Sequence, residues 1–172
     1  GEQSKFLTTI KNNRDYQQVL VKFSPKVASA SDQRIADRLV CEHLAHQLLG
    51  QYQVEAAQSQ IYSYDQRVFL EVSRFDRINL GRRGLISLQA LSFEFSGKYH
   101  EWHEVADDLN QKKIISDADY QTICFLETFG HFIANTDRHL GNISFFTDNE
   151  KEQSFYTASK KHTVLHLSPV YD

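Results

Sequence analysis

Between two apolar segments, "CFLETFGHFIA" and "ISFF", the chain places "NTDRHLGN" (residues 135–142), which gathers an acid, two bases and an amide. A core has no use for such a cluster, because burying charge without a partner is costly. A solvated loop would not need apolar flanks. The residue types point to a reaction instead. Asp137 and Asn142 are separated by four residues and followed by the strand-like "ISFF". That pattern suits a phosphotransferase loop, in which the Asp accepts the proton of an attacking hydroxyl and the Asn offers its side-chain oxygen to Mg2+. The strand would anchor the loop against the core.

This chemistry needs further parts. Magnesium prefers oxygen ligands and bridges phosphate groups, so a second metal carboxylate is required. Asp172 supplies one at the end of "SPVYD", and a hairpin over 143–170 would bring it back beside the loop. A cation must meet the phosphates, and Lys22 in "VLVKFS" sits on an expected strand, as the kinase lysine does in V-A-I-K. A backbone cradle is also needed, and "GEQSK" before "FLTTI" is the candidate, thin in glycine. Singly, each residue has a plainer reading: Lys22 as a solvated strand lysine, Asp172 as a turn residue, His131 as a helix-face histidine, Arg138 as the partner of a carboxylate. His131, His139 and Asp137 lack compact zinc spacing. The order of the parts carries the reading: loop, strand lysine, helix, D-x-x-x-x-N, strand, Asp.

The elements that must position these residues follow from pattern. "KFLTTI" and "QVLVKFS" read as two strands around the turn "KNNRD". "SDQRIADRLVCEHLAHQLLG" reads as a helix with Ser31 as N-cap, Ile35, Leu39, Leu44 and Leu48 at helical spacing, and Gly50 as its stop. "EAAQSQIYSYDQRVFLEVSRF" reads as two more strands turning at 64–66, which completes β-β-α-β-β. Beyond it, "GLISLQALSFEFSG" holds a short helix and "ADDLNQKKIIS" is read as a polar connection. "SDADYQTICFLETFGHFIANTD" opens with an acid-rich turn and continues as a helix. "NISFF" and "TVLHLSPVYD", around the charged insert "TDNEKEQ", read as paired strands. A mostly β first half and a mostly helical second half suggest two lobes, with a boundary near 76–84.

Composition excludes other classes. The chain has 172 residues, and 41% hydrophobic content with 12 Phe and 8 Tyr describes a globular protein. A net charge of -3 gives no footprint for nucleic acid or an anionic membrane. No apolar run approaches the length of a bilayer span and no signal-peptide pattern opens the chain. Two cysteines, Cys41 and Cys124, are too few for a disulfide scaffold, so a reducing cytoplasm is expected. The chain starts at Gly1 and contains no methionine, and is expected to be part of a longer protein.

At these residues the chain resembles the HipA-like serine/threonine kinases of bacterial toxin–antitoxin systems. "GEQSKF" looks like the family's phosphate-loop segment, "VLVKF" its lysine strand, and "SRFDR" its hinge. "NTDRHLGN" is similar to its catalytic loop and "SPVYD" to its metal-binding strand end. The resemblance implies an α+β, two-lobed protein-kinase-like fold, truncated, with a small β-rich N-lobe carrying one helix (1–78) and a mostly helical C-lobe (79–172). It implies an ATP- and Mg2+-dependent kinase acting on a protein hydroxyl, with a protein antitoxin partner that binds DNA. Asp137 would be the catalytic base, and Asn142 and Asp172 the magnesium ligands. Lys22 would hold the phosphates, lined by Gly1, Gln3 and Lys5. Ser73 and Phe75 would meet the adenine, mainly through backbone groups, and His139 would line the nucleotide site. The family's first-helix acid falls near Arg38 here; if that acid orients Lys22, Asp37 or Glu42 must replace it, or the lysine is held differently. The competing readings are a nucleotide-binding regulatory module without transfer activity, a phosphotransferase acting on a lipid or small molecule, and a nucleic-acid-acting enzyme.

Overall fold

The computed structural model describes residues 3–12, 15–78, 81–99, 101–147 and 164–171. Gly1, Asp172 and the charged insert after Thr147 lie outside them. The chain divides into two compact units, Gly1–Arg82 with Pro169–Asp172, and Arg83–Ser168.

In the first unit, β1 (Lys5–Asn12) and β2 (Asp15–Phe23) form one hairpin, and β3 (Ser59–Tyr64) and β4 (Arg67–Ser73) form another. They join in an antiparallel sheet of order β1-β2-β4-β3. Asp65 and Gln66 close the second hairpin with φ of 48° and 59°. Two left-handed central residues make the turn type whose twist matches the flanking strands. A short ribbon, β5 (Arg77–Ile78) and β6 (Gly81–Arg82), follows.

Helix α1 (Ala30–Gln51) connects the hairpins. Its N-cap is Ser29 rather than Ser31: the Ser29 Oγ accepts the Asp32 N–H, and the Ser29 hydroxyl donates to the Asp32 carboxylate. This reciprocal pair is a capping box shifted two residues upstream of the expected start. The buried stripe is Ala36, Leu39, His46 and Leu49, whereas Leu44 and Leu48 are exposed. The five-residue step from Leu39 to Leu44 rotates the expected stripe off the sheet, and the polar His46 takes the inward position. Leu39 packs with Ala57, Leu70 and Val72, flanked by Ile61, Val68, Phe75 and Tyr171. Each such fully buried aliphatic side chain contributes roughly 1.5–3 kcal/mol.

The second unit begins with β7 (Leu85–Ser87), which leads into α2 (Leu88–Leu91) and a short π turn, Ser92–Ser96. Then come α3 (Trp102–Gln111), α4 (Asp117–Phe132), a 3-10 turn at Leu140–Asn142, β8 (Ser144–Phe146) and β9 (His166–Leu167). The sheet order is β7-β8-β9, antiparallel. Of the segment read as a polar connection (106–116), residues 106–111 are the second half of helix α3, and only the remainder connects it to α4. The buried residues of α3, Trp102, Val105, Ala106 and Leu109, follow i, i+3, i+4, i+7, and the polar letters between them form its outer face.

Three helices end in the same motif. Gln53, Lys113 and Ala134 adopt left-handed φ of 61°, 57° and 56°. In each case the next N–H reaches back over the last turn: Val54 to Leu49, Ile114 to Leu109 and Asn135 to Gly130. This is the Schellman stop, and at α1 it replaces the stop expected at Gly50.

Candidate active site

The first unit places Lys22 on β2 directly opposite Lys5 of β1. Paired residues on neighbouring strands share a face, and like charges placed there repel. Lys22 is only 5% exposed, which a lone ammonium would not tolerate. Its Nζ lies 2.8 Å from Glu42 Oε1 on α1. Of the two acids left open by the sequence, Glu42 therefore holds the lysine. Asp37 instead accepts from Gln33 on an exposed part of the helix. The ion pair fixes α1 against the sheet, as the lysine–glutamate pair of a kinase fixes its helix. Gln3, just before β1, has a buried Nε2 without a hydrogen-bond partner among the described residues. An unmade buried donor is costly, and an acceptor such as a phosphate oxygen would satisfy it.

The hinge segment is engaged within the unit. The Ser73 N–H donates to Gln58 O, the Arg74 N–H donates to Gln18 O, and Ser73 Oγ accepts from Gln17 Nε2. Phe75 packs its ring against Tyr171 at 5.6 Å, in the core beside Leu70 and Val72. Arg74 grips Asp76 through Nε and Nη2, and Arg77 adds a contact at 3.2 Å. Burial pushes the Asp76 carboxyl up, but the Arg74 bonds and the two guanidinium charges outweigh it and hold it below the usual carboxylate range.

The second unit builds the loop. Helix α4 starts at the Ser116 cap, whose hydroxyl exchanges hydrogen bonds with Asp119, and stops at Ala134. Asn135 Oδ1 accepts the Asp137 N–H at 2.9 Å, and the Asn135 carbonyl accepts Arg138 Nε at 2.8 Å. The plainer reading of Arg138 pairs it with a carboxylate; this bond runs to the backbone of its own loop. Asn142 is buried and donates Nδ2 to the Asp137 carbonyl at 2.7 Å. That commits its amide nitrogen and leaves Oδ1 as the atom able to meet a cation. The Asp137 carboxylate is 63% exposed, accessible to a substrate. His139 caps the 3-10 turn by accepting the Gly141 N–H on Nδ1, and its Nε2 stands 3.9 Å from Asp137 Oδ1. A neutral ring accepting on Nδ1 carries its proton on Nε2, facing the carboxylate. A Cβ at position 141 would lie 2.8 Å from that Nδ1, so a side chain there would displace the His139 ring.

Asp137, His139 and Asn142 thus come together within one unit, and Gln3, Lys5 and Lys22 cluster at the start of β1 and the end of β2 in the other. Among the described residues, no group of three or more His, Cys, Asp or Glu side chains forms a metal site. Among the described residues, the Asn142 oxygen is one donor available to a hard cation. Glu127 escaped the sequence reading: its carboxylate accepts the N–H groups of Trp102 (2.8 Å) and His103 (3.2 Å) and meets His103 Nδ1 at 2.6 Å. It caps α3 from α4. The signal was an acid inside the apolar run "FLETF".

Residues 1–172 match the model of the HipA-like C-terminal domain. The chain belongs to that family. It is 33% identical over its full length to "Toxin YjjJ" of Escherichia coli (strain K12), of which it spans 36%. Among solved structures it is similar to the Helicobacter pylori proinflammatory kinase CtkA, at TM-score 0.63 and 15% identity over 95% of this chain and 51% of that one. It is also similar to HipA in the Shewanella oneidensis MR-1 HipA, HipB and operator DNA complex, at TM-score 0.64 and 21% identity over 100% of this chain and 42% of that one. The fold is α+β and kinase-like. No helix among the described residues is long and apolar enough to cross a membrane.

Proposed function

We propose that the chain is the catalytic part of a HipA-type serine/threonine protein kinase that transfers the γ-phosphoryl group of ATP to a protein hydroxyl. The observation that carries this reading is the loop 135–142, in which Asn142 is pinned to the Asp137 carbonyl while the Asp137 carboxylate stays accessible. Asp137 accepts the proton of the attacking hydroxyl. Lys22, kept charged and oriented by Glu42, binds the phosphates, with Lys5 and the Gln3 amide on the same side of the task. Gly1, outside the described residues, would join that phosphate lining by the family resemblance. Asn142 and Asp172 would hold Mg2+. Bound there, the ion would supply neutralisation of phosphate charge for in-line transfer. His139 lines the nucleotide site with its Nε2 proton toward Asp137. Adenine is met by the 73–75 backbone. The N–H groups of Ser73 and Arg74 already donate within the unit, so this contact uses carbonyls or the residues that follow.

The family supports a growth-arresting toxin with an antitoxin partner, as HipA is found with HipB in the Shewanella complex. Cys41 and Cys124 are free thiols, which fits a cytoplasmic protein. The test is incubation of the full-length protein with γ-labelled ATP and Mg2+, with and without cell lysate. Label on a protein supports the reading. Label only on lipid or small molecules indicates a different phosphotransferase. ATP binding without transfer indicates a nucleotide-binding regulatory module.

A further inference from the structure

The stop of α4 differs from those of α1 and α3. In the two other helices the residues joined by the long closing bond are apolar, Val54 with Leu49 and Ile114 with Leu109, as is usual for this motif. In α4 they are Asn135 and Gly130. The apolar pair has been replaced by an amide and a residue without a side chain. A helix stop alone would not require either.

The replacement has a local consequence. Three polar groups of Asn135 are engaged: its N–H with Gly130 O (2.9 Å), its carbonyl with Arg138 Nε (2.8 Å) and its Oδ1 with the Asp137 N–H (2.9 Å). Gly130 makes room for this, because a Cβ there would lie 2.6 Å from Arg138 Cδ. Arg138 therefore crosses the end of the helix and clamps the Asn135 carbonyl. Asp137 is held at its N–H by Asn135 and at its carbonyl by Asn142. Its carboxylate is exposed, so its direction is set through the backbone.

We propose that Asn135 is a positioning residue for Asp137, with Arg138 lying over Gly130 as its brace. The inference rests on the reading of Asp137 as catalytic base. If Asn135 served only the helix stop, its backbone would suffice and its side chain would be dispensable. If it positions Asp137, the Oδ1 acceptor matters and a carboxylate at the same place can replace it, since Asp makes the same turn.

The experiment compares full-length wild type, Asn135→Ala and Asn135→Asp in ATP turnover with Mg2+. For Asn135→Ala the expectation is a fall in kcat of about a hundredfold, with KM for ATP changed by no more than about twofold. Asn135→Asp is expected to recover most of the loss. Hydrogen exchange at the Asp137 amide supplies a readout without turnover: slow in wild type and Asn135→Asp, faster in Asn135→Ala. A kcat for Asn135→Ala within about threefold of wild type, an Asn135→Asp variant as slow as Asn135→Ala, or unchanged exchange at Asp137 would each overturn the inference. A wild-type protein that transfers nothing overturns the kinase reading instead, and amide exchange then decides the clamp by itself.

Discussion

At the scale of single residues, the candidates were legible in side-chain type: Asp137 and Asn142 by their separation, Lys22 by its place on a strand. The structure gives Lys22 a partner and Asn142 an orientation. The partner itself was not legible. Choosing between Asp37 and Glu42 needs the phase of α1, and two of the leucines that suggested the phase, Leu44 and Leu48, are exposed. Removing Glu42 takes this carboxylate away from the buried Lys22 ammonium. Glu42→Ala is therefore expected to cost on the order of 3 kcal/mol, read from the urea midpoint, and to weaken ATP binding. Gly141→Ala drives a methyl group into the His139 ring. The expected result is a fall of about tenfold or more in turnover with little change in stability, measured by kinetics beside thermal melting.

At the scale of elements, β1 to β4, the β8–β9 pair and the two long helices were legible from alternation and periodicity; the short strands β5 to β7 were not, and neither was α3. Its polar face outnumbers its buried residues, and the residue that caps it, Glu127, stands in another helix. Burial pushes the Glu127 carboxyl up, but hydrogen bonds with Glu101, His103 and two backbone N–H groups hold it below the usual range. Glu127→Ala removes that cap and should cost about 2 kcal/mol. Glu127→Gln, which keeps one acceptor, should cost less; urea unfolding of the two variants checks the order. The helix stops were also hidden, since Gln53, Lys113 and Ala134 replace the glycine that marks such sites. Ala134→Gly should relieve left-handed strain, with a gain of up to about 1 kcal/mol. A loss of stability on that change would contradict the assigned stop.

At the scale of the whole molecule, stability should decline in acid. Asp32, Asp76, Asp108 and Glu127 all have carboxyl pKa values lowered in the folded state. A group whose folded value is depressed contributes stability above its unfolded pKa, and that contribution is lost as pH falls through the folded one. Melting temperature should therefore be level toward neutral pH and drop below roughly pH 4, near the ordinary carboxylate values. A chain stabilised on acidification would contradict these assignments. What the sequence could not carry at this scale is the target, because a substrate is recognised by surface rather than by motif. The central claim is that Asp137 removes the proton from a hydroxyl attacking ATP. The most direct measurement is γ-phosphoryl transfer by full-length wild type and Asp137→Asn, beside ATP affinity for both. The account predicts transfer lost in the variant with ATP affinity retained; transfer at the wild-type rate by Asp137→Asn would contradict it.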